Sequence, residues 1–229
     1  SAGSDANSGK TKASIDKEKN CYLINGQKMW ITNSGFAEVF IVFAKIEDDE
    51  KLSAFIIEKS FGGITLGEEE KKLGIKGSST RQVYFENCPV PMENLLGKRN
   101  DGFKIALNIL NSGRIKLSAA TIGGSKFALS KAVKYSIERE QFGKSIGEFT
   151  AMQFKIGEMA RKIFSAESAV YRTGRNIDLK EKELKENNIP SNEIKLKGLR
   201  EYTIECSLMK VYASEVLDYC VDESLQIHG

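Results

Sequence analysis

Trp30, the only tryptophan among 229 residues, lies two positions before Thr32 in the stretch Gln27-Lys28-Met29-Trp30-Ile31-Thr32-Asn33. A flat apolar ring beside a hydroxyl donor suits a planar amphipathic ligand. A tryptophan that only packs on a sheet face is the alternative from these residues alone. A second pattern is Glu138-Arg139-Glu140-Gln141-Phe142-Gly143, where an arginine followed three residues later by an aromatic can clamp a phosphate and cover a ring. Pairing of Arg139 with Glu138 or Glu140 on a surface is the plain alternative. A third is Lys76-Gly77-Ser78-Ser79-Thr80-Arg81, rich in hydroxyl and amide donors, which either faces a phosphate or carbonyl or forms a solvated turn. His228, the only histidine, has no carboxylate or Cys/His partner at useful spacing, so no catalytic role is read into it. Cys21, Cys88, Cys206 and Cys220 form no Cys-x-x-Cys pair and read as reduced, mostly buried thiols.

The elements that must position these residues fall into two kinds. In the first half, Asn25-Gly26 between two β-prone runs predicts a hairpin turn. Further strands are expected at residues 39–44, 54–57, 64–66 and 82–85, with turn residues between them, and residues 1–6 read as a loop. Short strands without intervening helices describe an antiparallel barrel or sandwich. Cys88-Pro89-Val90-Pro91 is expected to end the last strand, because proline cannot donate to a ladder. The charged run 68–72 reads as solvated surface. A domain boundary follows near residues 96–101, giving domains 1–98 and 99–229.

In the second half, residues 103–133 are small or apolar nearly all round, which predicts a buried helix, and Gly123-Gly124 within it suits close approach of another helix. Phe149, Met152, Ile156, Met159, Ala160 and Ile163 share one helical face. Leu199, Tyr202, Cys206, Met209, Ala213, Val216 and Cys220 share another. Three such helices make an antiparallel bundle with core stripes rather than a cofactor box. Residues 178–188 read as a charged connector that extends the preceding helix before turning, with Pro190 closing it and Ser191 as an N-cap. The fold class is therefore α+β with segregated domains, a β-barrel or sandwich followed by a helical bundle.

Composition excludes several classes. Hydrophobic residues at 41% and charged residues at 28% are ordinary for a globular chain, which argues against disorder throughout. The net charge of +3 comes from 34 basic and 31 acidic residues of interspersed sign, which gives no support to nucleic-acid binding. No apolar run is long enough for a membrane-spanning helix, and no signal or transit peptide is read at the N-terminus.

Taken in order, Ala2-Gly3-Ser4-Asp5, the 25–33 stretch, Gly74-Ile75-Lys76-Gly77-Ser78-Ser79-Thr80-Arg81, the run from Gly102-Phe103 to Gly113-Arg114, the 138–143 stretch and Leu225-Gln226-Ile227-His228-Gly229 resemble the acyl-CoA dehydrogenase flavoproteins, in particular the very-long-chain branch. The resemblance covers essentially all 229 residues. It implies a middle β domain and an incomplete C-terminal helical domain, with FAD as cofactor. Trp30 and Ile31 would then lie beside the isoalloxazine, Thr32 at flavin N5 and Ser4 near the pyrophosphate. Arg139, Gln141, Phe142 and Gln226 would meet the adenosine diphosphate end of FAD bound mainly to a neighbouring subunit, which implies a homodimer or a dimer of dimers. Asn111 and Arg114 would line the acyl-CoA side. Implied partners are fatty acyl-CoA, oxidised to trans-2-enoyl-CoA, and an electron-transferring flavoprotein. The compartment would be cytoplasm in a bacterium or mitochondrial matrix in a eukaryote.

The sequence also departs from the pattern. It begins inside the usual Thr-Glu-Pro motif and ends inside the one that continues Gly-Gly, so the family's catalytic glutamate lies outside it. Gly113 stands where some branches place that base, and glycine cannot take a proton. The 229 residues alone are therefore expected to be inactive. A non-catalytic assembly relative and an acyl-CoA oxidase are the alternatives.

Overall fold

The structure, a computed structural model, describes residue 3 and residues 5–229. It falls into two units, residues 1–107 and 108–229. The first is built on seven strands: β1 (Lys12–Asp16), β2 (Cys21–Thr32), β3 (Val39–Ile46), β4 (Ser53–Glu58), β5 (Ile64–Leu66), β6 (Thr80–Pro91) and β7 (Leu95–Leu96). They form one sheet in the order β5-β6-β2-β1-β3-β4-β7. Alternate residues point into one core that includes Ile24, Val42, Phe55, Ile57, Val83 and Val90.

The α+β class is as expected, and within it the sheet corrects the expectation of an antiparallel barrel or sandwich. It is mixed, because β1 and β3 pair in parallel through Lys12↔Lys45 and Ala13↔Ile46, and β5 and β7 stand at its two edges, so it is not a closed barrel. The parallel pair follows from connectivity. β1 and β2 are antiparallel, and a short connection sends β3 back opposite to β2 on the far flank of β1.

One further expectation fails locally. Asn25-Gly26 is no turn; β2 runs straight through it, and the β1–β2 turn lies at residues 17–20, where Asp16 Oδ1 accepts from the Glu18 and Lys19 amides. Asn25 instead uses its side chain across the ladder, donating to Asn87 Oδ1 at 3.0 Å and accepting from the Asn87 amide at 2.8 Å. Gly26 (φ 142°) is glycine because a Cβ there would lie 2.9 Å from Thr11 Cα. β6 does end in the expected segment, at Pro91, though the segment still belongs to the ladder: Pro89 and Pro91 pair with Leu23 and Cys21. Beyond Phe85, β6 has a partner strand on one side only, so alternate residues need no ladder donor.

The second unit contains most of α1 (Gly102–Glu138), then a small hairpin, β8 (Glu140–Gln141) and β9 (Lys144–Ser145), followed by α2 (Thr150–Glu186), α3 (Ser191–Glu201) and α4 (Thr203–His228). Residues 178–186 extend α2, as the sequence leads one to expect. The stripe expected from Leu199 to Cys220 is broken at Tyr202 into α3 and α4, and Pro190, not Ser191, occupies the α3 N-cap without a side-chain cap bond. On α2, Met159, Ile163, Ala166, Val170, Thr173 and Ile177 are buried at alternating spacings of four and three, the period of a packed helix face.

The first helix is not buried all round. Leu107, Leu110, Leu117, Phe127 and Ile137 are exposed, whereas Ser118, Thr121, Ser125, Ala132 and Ser136 are buried. Small residues let neighbouring helices come close. Their hydroxyls are satisfied within the helix: Ser118 donates to Arg114 O at 2.8 Å and Ser125 to Thr121 O at 2.8 Å. Gly124 fits the expected close approach, since a Cβ there would lie 3.0 Å from Leu217 Cδ1 on α4.

Candidate functional site

The register between β2 and β6 explains how Trp30 is presented. Lys28 faces Val83 and Ile31 faces Arg81, so three steps on β2 match two on β6, and Met29 and Trp30 together oppose Gln82. This is a β-bulge. Trp30 takes φ 58°, a left-handed conformation that a bulky residue adopts only under constraint, and its side chain stays 60% exposed. It is therefore not a core tryptophan. Ile31 packs against the sheet core, while Thr32 is exposed and its hydroxyl bonds to no described residue. A large ring and an unpartnered hydroxyl thus sit two residues apart on a strand end.

That strand end is held by the loop that Lys76 to Arg81 closes. Thr32 pairs with Thr80, and the Asn33 amide donates to Ser79 O at 2.8 Å. Glu69 Oε1 accepts from Ser79 Oγ at 2.5 Å and from Arg81 Nε at 2.7 Å, and Oε2 accepts from the Thr80 amide at 2.9 Å. The Ser79 hydroxyl, the Thr80 amide and the Arg81 guanidinium hold the Glu69 carboxyl down to about 2. Lys72 Nζ donates to Ser78 O at 2.6 Å and Thr80 Oγ1 at 2.9 Å. Residues 69 and 72 thus lie inside the run read from sequence as solvated surface, and they tie the loop together instead.

In the helical unit, β8 and β9 are joined by Phe142-Gly143 alone, with φ 54° and 80°. Both central residues are left-handed, as a two-residue turn of this hand requires, and the first position normally falls to Asn, Asp or Gly. Phe142 occupies it with its ring 93% exposed, edge-on to Phe149 at 6.2 Å. Arg139 makes no ion pair among the described residues; Glu138 pairs with Lys134 instead. Gln141 turns its amide onto Glu140 O at 2.7 Å. Gln226, exposed near the end of α4, comes to the same end of the helices, because His228 stacks on Tyr135 one turn before Arg139. The Tyr135–His228 contact had no signal in sequence.

Asn111 is buried, not open. It donates to Thr203 Oγ1 at 3.0 Å and accepts from Arg114 Nη1 at 2.9 Å, linking α1 to the start of α4 and fixing the Arg114 side chain. Gly113 is exposed, with open space where a Cβ would be. Ser4 lies outside the described residues. No group of three or more His, Cys, Asp or Glu among the described residues can hold a metal ion, and no described helix is long and apolar enough to cross a membrane. Burial pushes the Cys88 thiol up to about 11, which keeps it protonated and unreactive.

Each unit by itself carries chemistry that FAD could use: the first an exposed ring two residues from a hydroxyl that bonds to no described residue, the second a guanidinium without an ion pair among the described residues, with an exposed ring. Comparison with known proteins gives the family. Residues 1–88 match the family described as acyl-CoA dehydrogenase, middle domain, and residues 100–229 the family described as acyl-CoA dehydrogenase, C-terminal domain. A probable acyl-CoA dehydrogenase of Bacillus subtilis is 47% identical over 228 residues, covering all of this chain and 38% of that protein. The very long-chain specific acyl-CoA dehydrogenase of rat mitochondria is 39% identical over 237 residues, covering 33% of its length. The crystal structure of an acyl-CoA dehydrogenase from Bacillus anthracis, complexed with FAD, superposes with a TM-score of 0.92 at 48% identity, across all of this chain and 39% of that one. The chain thus spans between a third and two fifths of these relatives, and it belongs to the acyl-CoA dehydrogenase family.

Proposed function

We propose that these residues serve an FAD-dependent dehydrogenation of fatty acyl-CoA to trans-2-enoyl-CoA, with an electron-transferring flavoprotein as electron acceptor. One observation carries the reading: Trp30 is held in a left-handed bulge with its ring exposed, two residues from the unpartnered hydroxyl of Thr32. FAD, when bound, supplies the acceptor for the hydride lost from the β-carbon. Trp30 and Ile31 would border its ring system and the Thr32 hydroxyl would donate to N5. Arg139, Gln141, Phe142 and Gln226 of a neighbouring copy would take the adenosine diphosphate end, which would make the assembly a homodimer or dimer of dimers. Arg114 faces the acyl-CoA, and Asn111 acts by holding it. In domain terms, residues 1–98 act as the middle β domain and 99–229 as part of the helical domain.

Gly113 contributes no carboxylate at the position that the family resemblance gives to the base in some branches. Turnover by the 229 residues alone is not expected. The test is FAD titration of this chain, following Trp30 emission and the visible flavin bands. Quenching in the wild type is expected, together with a band shift that Thr32→Val removes while the quenching stays. Unchanged Trp30 emission, or a band shift indifferent to Thr32→Val, would refute the placement.

A further inference from the structure

We propose that Glu69 is a positioning residue for the Trp30–Thr32 strand end, fixing it by clamping the start of β6. The inference rests on the reading that this strand end meets the flavin, and deepens it. The bulge at Met29 and Trp30 interrupts the ladder between the pairs Lys28↔Val83 and Ile31↔Arg81. Only two pairs, Ile31↔Arg81 and Thr32↔Thr80, then connect the strand end to β6 beyond the bulge. Two ladder pairs past a bulge fray easily on their own.

Glu69 reinforces this short piece. Its two oxygens accept from Ser79, Thr80 and Arg81 together, and two of those three residues are the ladder partners of Ile31 and Thr32. Ser79 carries the hold past the strand, its carbonyl accepting from the Asn33 amide at 2.8 Å and its hydroxyl from the Gly35 amide at 3.1 Å. Gly35 shows how tightly the cluster is built. A Cβ there would lie 2.4 Å from Ser79 Oγ and 3.2 Å from both Glu69 Oε1 and Arg81 Nε. The backbone on both sides of the Thr32 hydroxyl is therefore braced, alongside Lys72, by one carboxylate that hydrogen-bonds neither Trp30 nor Thr32.

The experiment compares wild type, Glu69→Gln and Glu69→Ala in the full 229-residue chain. Amide hydrogen exchange without flavin is read at Asn33 and Gly35, with Val42 and Phe55 as core references. Glu69→Ala is expected to speed exchange at Asn33 and Gly35 by about tenfold or more, as loss of charge-assisted bonds implies, with the references unchanged and Glu69→Gln between the two. FAD titration should then show weaker binding and an altered flavin band in the same order, Glu69→Ala more than Glu69→Gln. Unchanged exchange at Asn33 and Gly35 would overturn the clamp. Faster exchange with unaltered FAD affinity and band would overturn the positioning role. A wild type that leaves FAD unperturbed would instead overturn the flavin reading, and the exchange contrast would still decide whether Glu69 fixes the strand end.

Discussion

Tyr135 stacks on His228 with ring centroids 4.4 Å apart and planes at 24°, joining the last turns of α1 to the end of α4 across 93 residues of sequence. His228 is oriented by its own helix, since Nδ1 lies 2.7 Å from Ser224 O, and a carbonyl oxygen only accepts, so Nδ1 carries the proton. The stack brings Gln226 to the end of the helices where Arg139 and Phe142 lie. An aromatic pair contributes about 0.5–1.5 kcal/mol beyond its buried area. Tyr135→Ala and His228→Ala are each expected to lower stability, with a coupling of about 1 kcal/mol in the double-mutant cycle, measured by urea unfolding. Additive losses would mean that the two rings do not support each other.

Phe142 poses a conflict between stability and binding. A bulky residue held in the left-handed region costs on the order of 1–3 kcal/mol, more than the edge contact with Phe149 returns at about 0.5–1.5 kcal/mol. Asn-Gly is the preferred pair for such a turn. Phe142→Asn is therefore expected to raise stability by up to about 1 kcal/mol while weakening FAD binding. Thermal unfolding and FAD titration of the same preparation check both halves. A variant that gains stability and keeps its FAD affinity would remove Phe142 from the cofactor site.

Glu69 gives an acid signature with a definite sign. Its folded carboxyl is held near 2 against an ordinary 4.5, so its contribution is complete above about pH 4.5 and is lost as pH falls toward 2. Asp49 beside Arg99 and Glu158 beside Arg161 are lowered too and titrate alike in wild type and variant. The stability difference between wild type and Glu69→Gln should therefore be largest at neutral pH and shrink through that window, in urea titrations at stepped pH. A difference independent of pH would show that the carboxylate charge is not what holds the loop.

Period and punctuation made much of this fold legible. The short β-prone runs of β3 to β6, set off by turn residues, and the stripe on α2 are visible in the chain because strand and helix each leave a local pattern. What stayed hidden depended on partners far away in sequence. Asn25-Gly26 carries the local chemistry of a turn, but Asn87 from β6 offers its side chain a better use and Thr11 leaves room only for glycine. Trp30 and Thr32 could be singled out by type. Their exposure could not, since it comes from a bulge defined by register against Gln82. Glu69 looked like one charge among several in residues 68–72, and only the folded loop reveals it as the acceptor for three donors.

The adjacent glycines on α1 separate two reasons for glycine in a helix. Gly123 has nothing within 4 Å of an added Cβ, whereas at Gly124 that atom would lie 3.0 Å from Leu217 Cδ1 and 3.8 Å from its Cδ2. Replacing a helix-interior glycine by alanine is worth about 0.8–1.0 kcal/mol through the backbone alone. Gly123→Ala should gain close to that full amount. Gly124→Ala meets the same backbone gain with a contact tighter than packed atoms normally tolerate, so Leu217 must shift and the gain is cancelled. The expected result in urea unfolding is a rise for Gly123→Ala and none for Gly124→Ala, with Gly124→Ala restored toward a gain when Leu217 is shortened to valine. Equal gains at both positions would show that α1 and α4 do not need a glycine to approach here.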